Sequence, residues 1–364
     1  MNELTHKHGG DLDAVEAAYG IPKDQIIDFS GNVNPLGFPP HTARALAEHI
    51  ALVSRYPDKG YRKLRESIGR YTGADPETIV VGNGSTELIS GFIGALCPRC
   101  ALILGPAYSE YENSVRVCGG SFTYFPLKEE DDFRLDLPAL LAALTPETDL
   151  FVMCNPNNPT GTAVTVPQLR EILTHCQANH TAVLVDETYI EFADDLSSLC
   201  AIPLTREFDN LFVIRGISKF FAAPGLRLGY GVCGGQPLRE ALARKKDPWS
   251  VNSLAAFAGE TLFSETEFMQ QTRALILSER KKLLAELKSW DTVKVYPTAS
   301  NFILIRLLTQ KITAAAITDR LIRRKMLVRD AASFTFLDES YLRFCIQLPE
   351  QNEALLASLR EFLG

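Results

Sequence analysis

No stretch of this 364-residue chain approaches the ~18 consecutive apolar residues of a membrane-spanning helix. The polar start MNELTHKHGGDLD lacks the apolar core of a secretory signal. Nor is there an excess of positive charge. The 37 Lys and Arg stand against 44 Asp and Glu, a net charge of −7, so nothing electrostatic favours nucleic acid or an anionic membrane as partner. Eight cysteines are too sparse in so long a chain for a disulfide framework, and without an export signal they read as reduced thiols in the cytoplasm. Cys97 and Cys100 have C-x-x-C spacing, but no second pair and no clustered histidines complete a zinc ligand set. Internal repeats and low-complexity linkers are absent.

What is present is 46% hydrophobic residues, enough for about two domain cores at ~100–200 residues each. Short apolar runs at 79–81, 101–104, 121–125, 150–153, 182–185, 211–214 and 228–232 alternate with helical patterns. In 167–178, for example, Leu169, Ile172, Leu173 and Cys176 recur at three- and four-residue spacing. Runs that are apolar at every position suit strands covered on both faces, and the alternation predicts a mostly parallel α/β sheet. Beyond about residue 250 the rhythm changes. A long helical region to about 289, strands at 293–296, 301–306 and 341–346, a helix near 314–325 and a terminal helix predict a smaller α+β unit. The expected division is an N-terminal arm over 1–40 lying on the active site, a large unit over 41–250 and a small one over 251–364.

Four motifs each follow a predicted strand end, the place where open α/β sheets bind ligands. Gly82-Asn83-Gly84-Ser85-Thr86 runs into an apolar helix, offering free N–H groups and hydroxyls to an anion. Taken alone it reads more simply as a plain helix start. Asn155-Pro156-Asn157-Asn158-Pro159 forms a rigid loop. Asp186, in Val185-Asp186-Glu187-Thr188-Tyr189, ends a wholly apolar strand, a costly place for an acid unless a cation or strong donor pairs with it. Finally, Ile217-Ser218-Lys219 follows a buried strand, and Arg227 lies eight residues on. Desolvation there makes an amine a better nucleophile towards a carbonyl, and an arginine offers a fork for phosphate. Together the motifs ask for one ligand with a phosphate, a basic ring nitrogen and an aldehyde. Pyridoxal 5′-phosphate has all three.

On these motifs, and over essentially its whole length, the sequence resembles the fold-type I pyridoxal-phosphate enzymes, the aspartate-aminotransferase-like class I/II group that includes histidinol-phosphate aminotransferase and threonine-phosphate decarboxylase. The resemblance implies a large α/β domain with a mostly parallel sheet plus a smaller α+β C-terminal domain, and a homodimer with shared active sites. It implies that Lys219 bonds the cofactor aldehyde, Asp186 holds the ring nitrogen protonated, Tyr189 and Asn158 bind the ring oxygen and Tyr108 stacks on the ring. Gly84, Ser85, Thr86, Ser218 and Arg227 would surround the phosphate, joined by Tyr56 from the neighbouring subunit, while Arg343 would hold the substrate carboxylate. One departure is Gly216, where relatives often carry a hydroxyl. His8-Gly9-Gly10, the 29–37 segment and Pro248-Trp249-Ser250-Val251-Asn252 resemble the decarboxylase more than the aminotransferase, which implies His8, Asn32 and Arg329 at the substrate phosphate. The implied reaction is decarboxylation of an O-phospho-amino acid, threonine phosphate to 1-amino-2-propanol phosphate in cobalamin biosynthesis, or serine phosphate to ethanolamine phosphate. Transamination of histidinol phosphate or a related amino acid is the alternative. A cofactor-sensing regulator of the same fold would need an added DNA-binding domain, for which the chain has no spare ~70 residues.

Overall fold

The computed structural model describes residues 9–363. His8, with the rest of the first eight residues, lies outside them. Thirteen strands are present among the described residues: β1 (Ile27–Asp28), β2 (Ile79–Gly82), β3 (Cys100–Gly105), β4 (Ser121–Pro126), β5 (Leu150–Cys154), β6 (Ala182–Asp186), β7 (Leu211–Gly216), β8 (Gly229–Cys233), β9 (Val293–Val295), β10 (Phe302–Leu307), β11 (Met326–Leu327), β12 (Arg329–Asp330) and β13 (Tyr341–Cys345).

Seven of them form one sheet in the order β2-β8-β7-β6-β5-β3-β4. Every predicted strand of this region is found, most of them extended by a residue or two at their ends. Only β8 runs against its neighbours β2 and β7; the other pairs are parallel. All five residues of β5 are buried, as are Val183, Leu184 and Val185 of β6. Helices on both faces provide that cover, and each fully buried aliphatic side chain contributes about 1.5–3 kcal/mol.

The second sheet, β12-β13-β10-β9, is antiparallel throughout. The long helical region predicted before it is two helices, Ser253–Leu262 and Thr266–Lys288, broken at residues 263–265. The N-terminal segment is more ordered than its turn-rich sequence suggests. Leu12–Tyr19 is a helix, capped by Asp11 Oδ1, which accepts from Ala14 N at 3.1 Å, and ended by Gly20 in the left-handed region. Then β1 pairs in parallel with β11, which lays residues 29–34 across the ends of both sheets. Phe29 N donates to Leu327 O and Cys345 N to Phe29 O, both at 2.8 Å.

Candidate active site

The strand-end motifs converge on one cavity of about 300 Å³ at the carboxyl edge of the large sheet. It is lined by Ser85 and Thr86 at the start of the helix after β2, Tyr108 from the loop after β3 and Asn158 from the loop after β5. Asp186 enters from the end of β6, Tyr189 from the turn after it, and Ser218, Lys219 and Arg227 from the segment between β7 and β8. Asn32 arrives from the N-terminal segment, and Arg329 and Arg343 from the small sheet. Of the residues expected there, Gly84 lies immediately behind the lining. Tyr56 lies away from this chain's own cavity, 82% exposed, its ring 5.0 Å from that of Trp249. Trp249 is likewise outside the cavity.

Gly84 makes the anion cup possible. Its φ is +82°, and a Cβ there would fall 2.3 Å from Arg227 Nη2, so only a residue without a side chain lets the arginine close over the turn. Gly229 does the same from behind, because a Cβ on it would stand 2.7 Å from Ser85 N. The helix Ser85–Leu96 therefore presents its first N–H groups, the hydroxyls of Ser85 and Thr86 and the Arg227 fork to one point. Gly216 is not enforced by crowding: a Cβ would make ordinary 3.7 Å contacts with Ser85. The hydroxyl common in relatives is simply replaced here by space beside Ser85.

Asp186 is buried at the end of β6. Burial pushes its carboxyl pKa up, and three donors oppose the rise. Thr188 N at 3.0 Å and Thr188 Oγ1 at 2.5 Å serve Oδ1, and Tyr111 Oη at 2.7 Å serves Oδ2. Sequence reasoning missed Tyr111; a second tyrosine three residues after Tyr108, in the first turn of the helix Glu110–Val117, is the signal that could single it out. Lys219 is half-buried, and Nζ donates to Gly31 O at 2.6 Å. Burial, reinforced by the charge of Arg343, brings its pKa down from 10.5 to about 8. Its amine therefore loses its proton far more readily than a surface lysine's.

On the opposite wall, buried Arg343 donates through Nη1 to Asn158 Oδ1 and through Nη2 to Ser30 O at 2.8 Å. Its Nε is buried without a hydrogen-bond partner, as is Asn32 Oδ1. Asn32 holds a left-handed backbone, φ +56°, and its Nδ2 donates to Tyr189 Oη at 3.3 Å. Arg329 is buried, and its pKa falls to about 10 through burial and the neighbouring charge of Arg343. Its Nη2 donates to Ser333 Oγ at 2.6 Å. Ser333 and Phe334, which also line the cavity, were not foreseen. They sit in an irregular turn with no spacing pattern to mark them.

These residues fit pyridoxal 5′-phosphate. The glycine cup and Arg227 suit the phosphate, and Asp186 is a buried acid with three donors on it and room in front for a basic ring nitrogen. Lys219 is a desolvated amine on the same cavity, and the unpartnered donor on Arg343 and acceptor on Asn32 await ligand atoms.

Comparison with known proteins supports this fit. Residues 24–359 match the family model "Aminotransferase class I and II". The threonine-phosphate decarboxylase of Salmonella typhimurium is 35% identical over 98% of this chain and 96% of its own. The histidinol-phosphate aminotransferase of Methanosarcina mazei is 33% identical over 96% of this chain and 91% of its own. Among solved structures, L-threonine-O-3-phosphate decarboxylase of Porphyromonas gingivalis superposes with a TM-score of 0.81 at 27% identity, over 92% of this chain and 98% of that one. By sequence and by fold the chain belongs to the class I and II aminotransferase family, and its cofactor is pyridoxal 5′-phosphate.

Proposed function

We propose that this protein removes the carboxylate of an O-phospho-amino acid as CO2, with threonine phosphate as the leading substrate and serine phosphate as a shorter one. The observation that carries the reading is the pair of buried arginines, Arg329 and Arg343, on one cavity with Lys219 and Asp186. Two guanidinium groups suit a substrate with two anionic ends, a carboxylate and a phosphate. The similarity to the Salmonella decarboxylase points the same way.

In this reading the bound cofactor supplies a conjugated ring that takes up the electron pair left when a bond at the substrate Cα breaks. Asp186 keeps a proton on the ring nitrogen, with Tyr111 and Thr188 fixing its two oxygens. Tyr189 and Asn158 hold the ring oxygen, and Tyr108 covers one ring face. Ser85, Thr86, Ser218 and Arg227 hold the cofactor phosphate. Arg343 orients the carboxylate, while Arg329, Asn32 and His8 hold the substrate phosphate. Those two clamps decide which bond at Cα is aligned for cleavage. Lys219 Nζ, with a pKa of about 8, is suited to carry a proton to Cα after CO2 has left. Tyr56 reaches the cofactor phosphate of a second copy in a homodimer, which accounts for its exposure beside Trp249. We place the enzyme in the cytoplasm. Among the described residues no helix is long and apolar enough to cross a membrane.

The similarity to histidinol-phosphate aminotransferases supports a second reading, transamination with a 2-oxo acid. Incubating the holoenzyme with threonine phosphate and no 2-oxo acid separates the two. Catalytic CO2 release supports decarboxylation. No CO2, with turnover only on adding 2-oxoglutarate and histidinol phosphate, supports transamination and overturns the first reading.

A further inference from the structure

Four side chains form an alternating stack, three of which, Arg343, Phe334 and Arg329, line the cavity while Phe302 lies buried behind them. Arg343 Cζ lies 5.2 Å from the ring centre of Phe302 and 5.8 Å from that of Phe334. Arg329 Cζ lies 5.5 Å from the same Phe334 ring. Phe334 thus stands against two guanidinium groups, and the charge of Arg343 adds to burial in lowering the proton affinity of Arg329. Its π-face is favourable to each of them, so it keeps the two cations at a set distance without neutralising them.

The turn that carries Phe334 is held from several sides. Phe334 N donates to Ala331 O at 3.0 Å and Leu337 N to Phe334 O at 3.1 Å. Phe336, at φ +71°, meets Tyr124 of β4 edge-on with ring centres 5.9 Å apart. One residue before Phe334, Ser333 Oγ accepts from Arg329 Nη2 at 2.6 Å. A serine hydroxyl that accepts from an arginine keeps its own proton to donate, and this one lies at the cavity lining.

We propose that the turn between β12 and β13 sets substrate selection: Ser333 Oγ donates to the substrate phosphate held by Arg329, and Phe334 fixes the separation between the phosphate-binding and carboxylate-binding arginines. Neither residue contacts the reacting bond. Ser333 reads the charge of the far end, and Phe334 reads the length of the substrate. The inference rests on the phospho-amino-acid reading above.

The test uses the holoenzyme and reads binding from the change in cofactor absorption, with threonine phosphate, threonine and O-phosphohomoserine (one methylene longer than serine phosphate) as ligands. Loss of one charge-assisted hydrogen bond in Ser333→Ala should weaken threonine phosphate about tenfold and leave threonine within about twofold. Ser333→Thr, which keeps the hydroxyl, should restore the affinity. Phe334→Ala should reduce the preference for threonine phosphate over O-phosphohomoserine about fivefold or more, since a methylene is ordinarily worth about tenfold or more in a shaped site. If Ser333→Ala weakens threonine and threonine phosphate equally, or neither, and Phe334→Ala leaves the length preference intact, the turn has only a structural role and the proposal fails alone. If the wild-type protein binds threonine phosphate no more tightly than threonine, the phospho-substrate reading fails with it.

Discussion

Tyr111 Oη donates to Asp186 Oδ2 at 2.7 Å, from the first turn of the helix after β3 to the last residue of β6. Tyr111 is fully buried, and burial together with the Asp186 charge holds its own phenol pKa well above the usual value. It stays a donor at any working pH. The consequence for Asp186 is that Tyr111, with Thr188, restrains the rise in its pKa that burial causes.

Tyr111→Phe removes that donor without changing the shape of the ring. Losing a hydrogen bond to a buried charge costs about 1.5–3 kcal/mol. Asp186 should then hold a proton on the cofactor ring less well, and kcat should drop by about ten- to a hundredfold while KM for substrate changes little. Steady-state kinetics of the purified variant check this; a drop confined to KM would contradict it.

Lys219 has a pKa in the folded protein below that of the unfolded chain, about 8 against 10.5. The unfolded state therefore binds more protons between those values, and this group makes stability rise as pH increases through that window. Below pH 8 it costs the apoprotein up to about 3 kcal/mol, taking ~1.36 kcal/mol per unit. Lys219→Met should remove the penalty, so the apo variant should unfold at higher urea than the wild type at pH 7. The gap should narrow towards pH 10. The same pKa implies that pyridoxal phosphate attaches to the apoprotein faster as pH climbs from 6.5 towards 8.

Behind Asp186, Glu187 and Arg215 form a buried pair, with Arg215 Nε and Nη2 donating to Glu187 Oε2 at 2.9 and 2.8 Å. Glu187 Oε1 accepts from Ala201 N at 2.5 Å. Arg215 immediately precedes Gly216 on β7, so the pair ties the Asp186 strand to the strand that leads to Lys219. Removing one partner strands a buried charge at a cost of about 3–5 kcal/mol. Arg215→Met should lower the melting temperature sharply, and adding Glu187→Leu should recover part of the loss. An additive double mutant would contradict the pairing.

Gly84→Ala introduces a side chain at φ +82° and directs it at Arg227. Pyridoxal phosphate affinity should fall about tenfold or more, given a strain of ~1–2 kcal/mol and the displaced guanidinium. Equilibrium dialysis of the cofactor against the apo variant measures it.

Much of this site is legible in the sequence because its chemistry is concentrated where apolar strands stop. Asp186, Lys219 and Asn158 stand out against the runs before them, and all three are found on one cavity. Strand limits fall short in the sequence because Arg215 and Asp186 end the apolar pattern while the backbone ladder continues through them. The reversed direction of β8 left no trace, since a strand buried on both faces is apolar whichever way it runs. The helix Leu12–Tyr19 did have a signal, Asp11 before it and Gly20 after it, with Leu12, Val15 and Tyr19 on one face. Ser333 and Phe334 had none. Their role comes from the tertiary approach of β12 and its following turn to the large sheet.

The most direct test of the whole account is borohydride reduction of the reconstituted protein, followed by peptide mass mapping. The expected result is one pyridoxyl phosphate per chain, fixed on Lys219. A protein that binds no coenzyme, or one that carries it on another lysine, would contradict the account at its base.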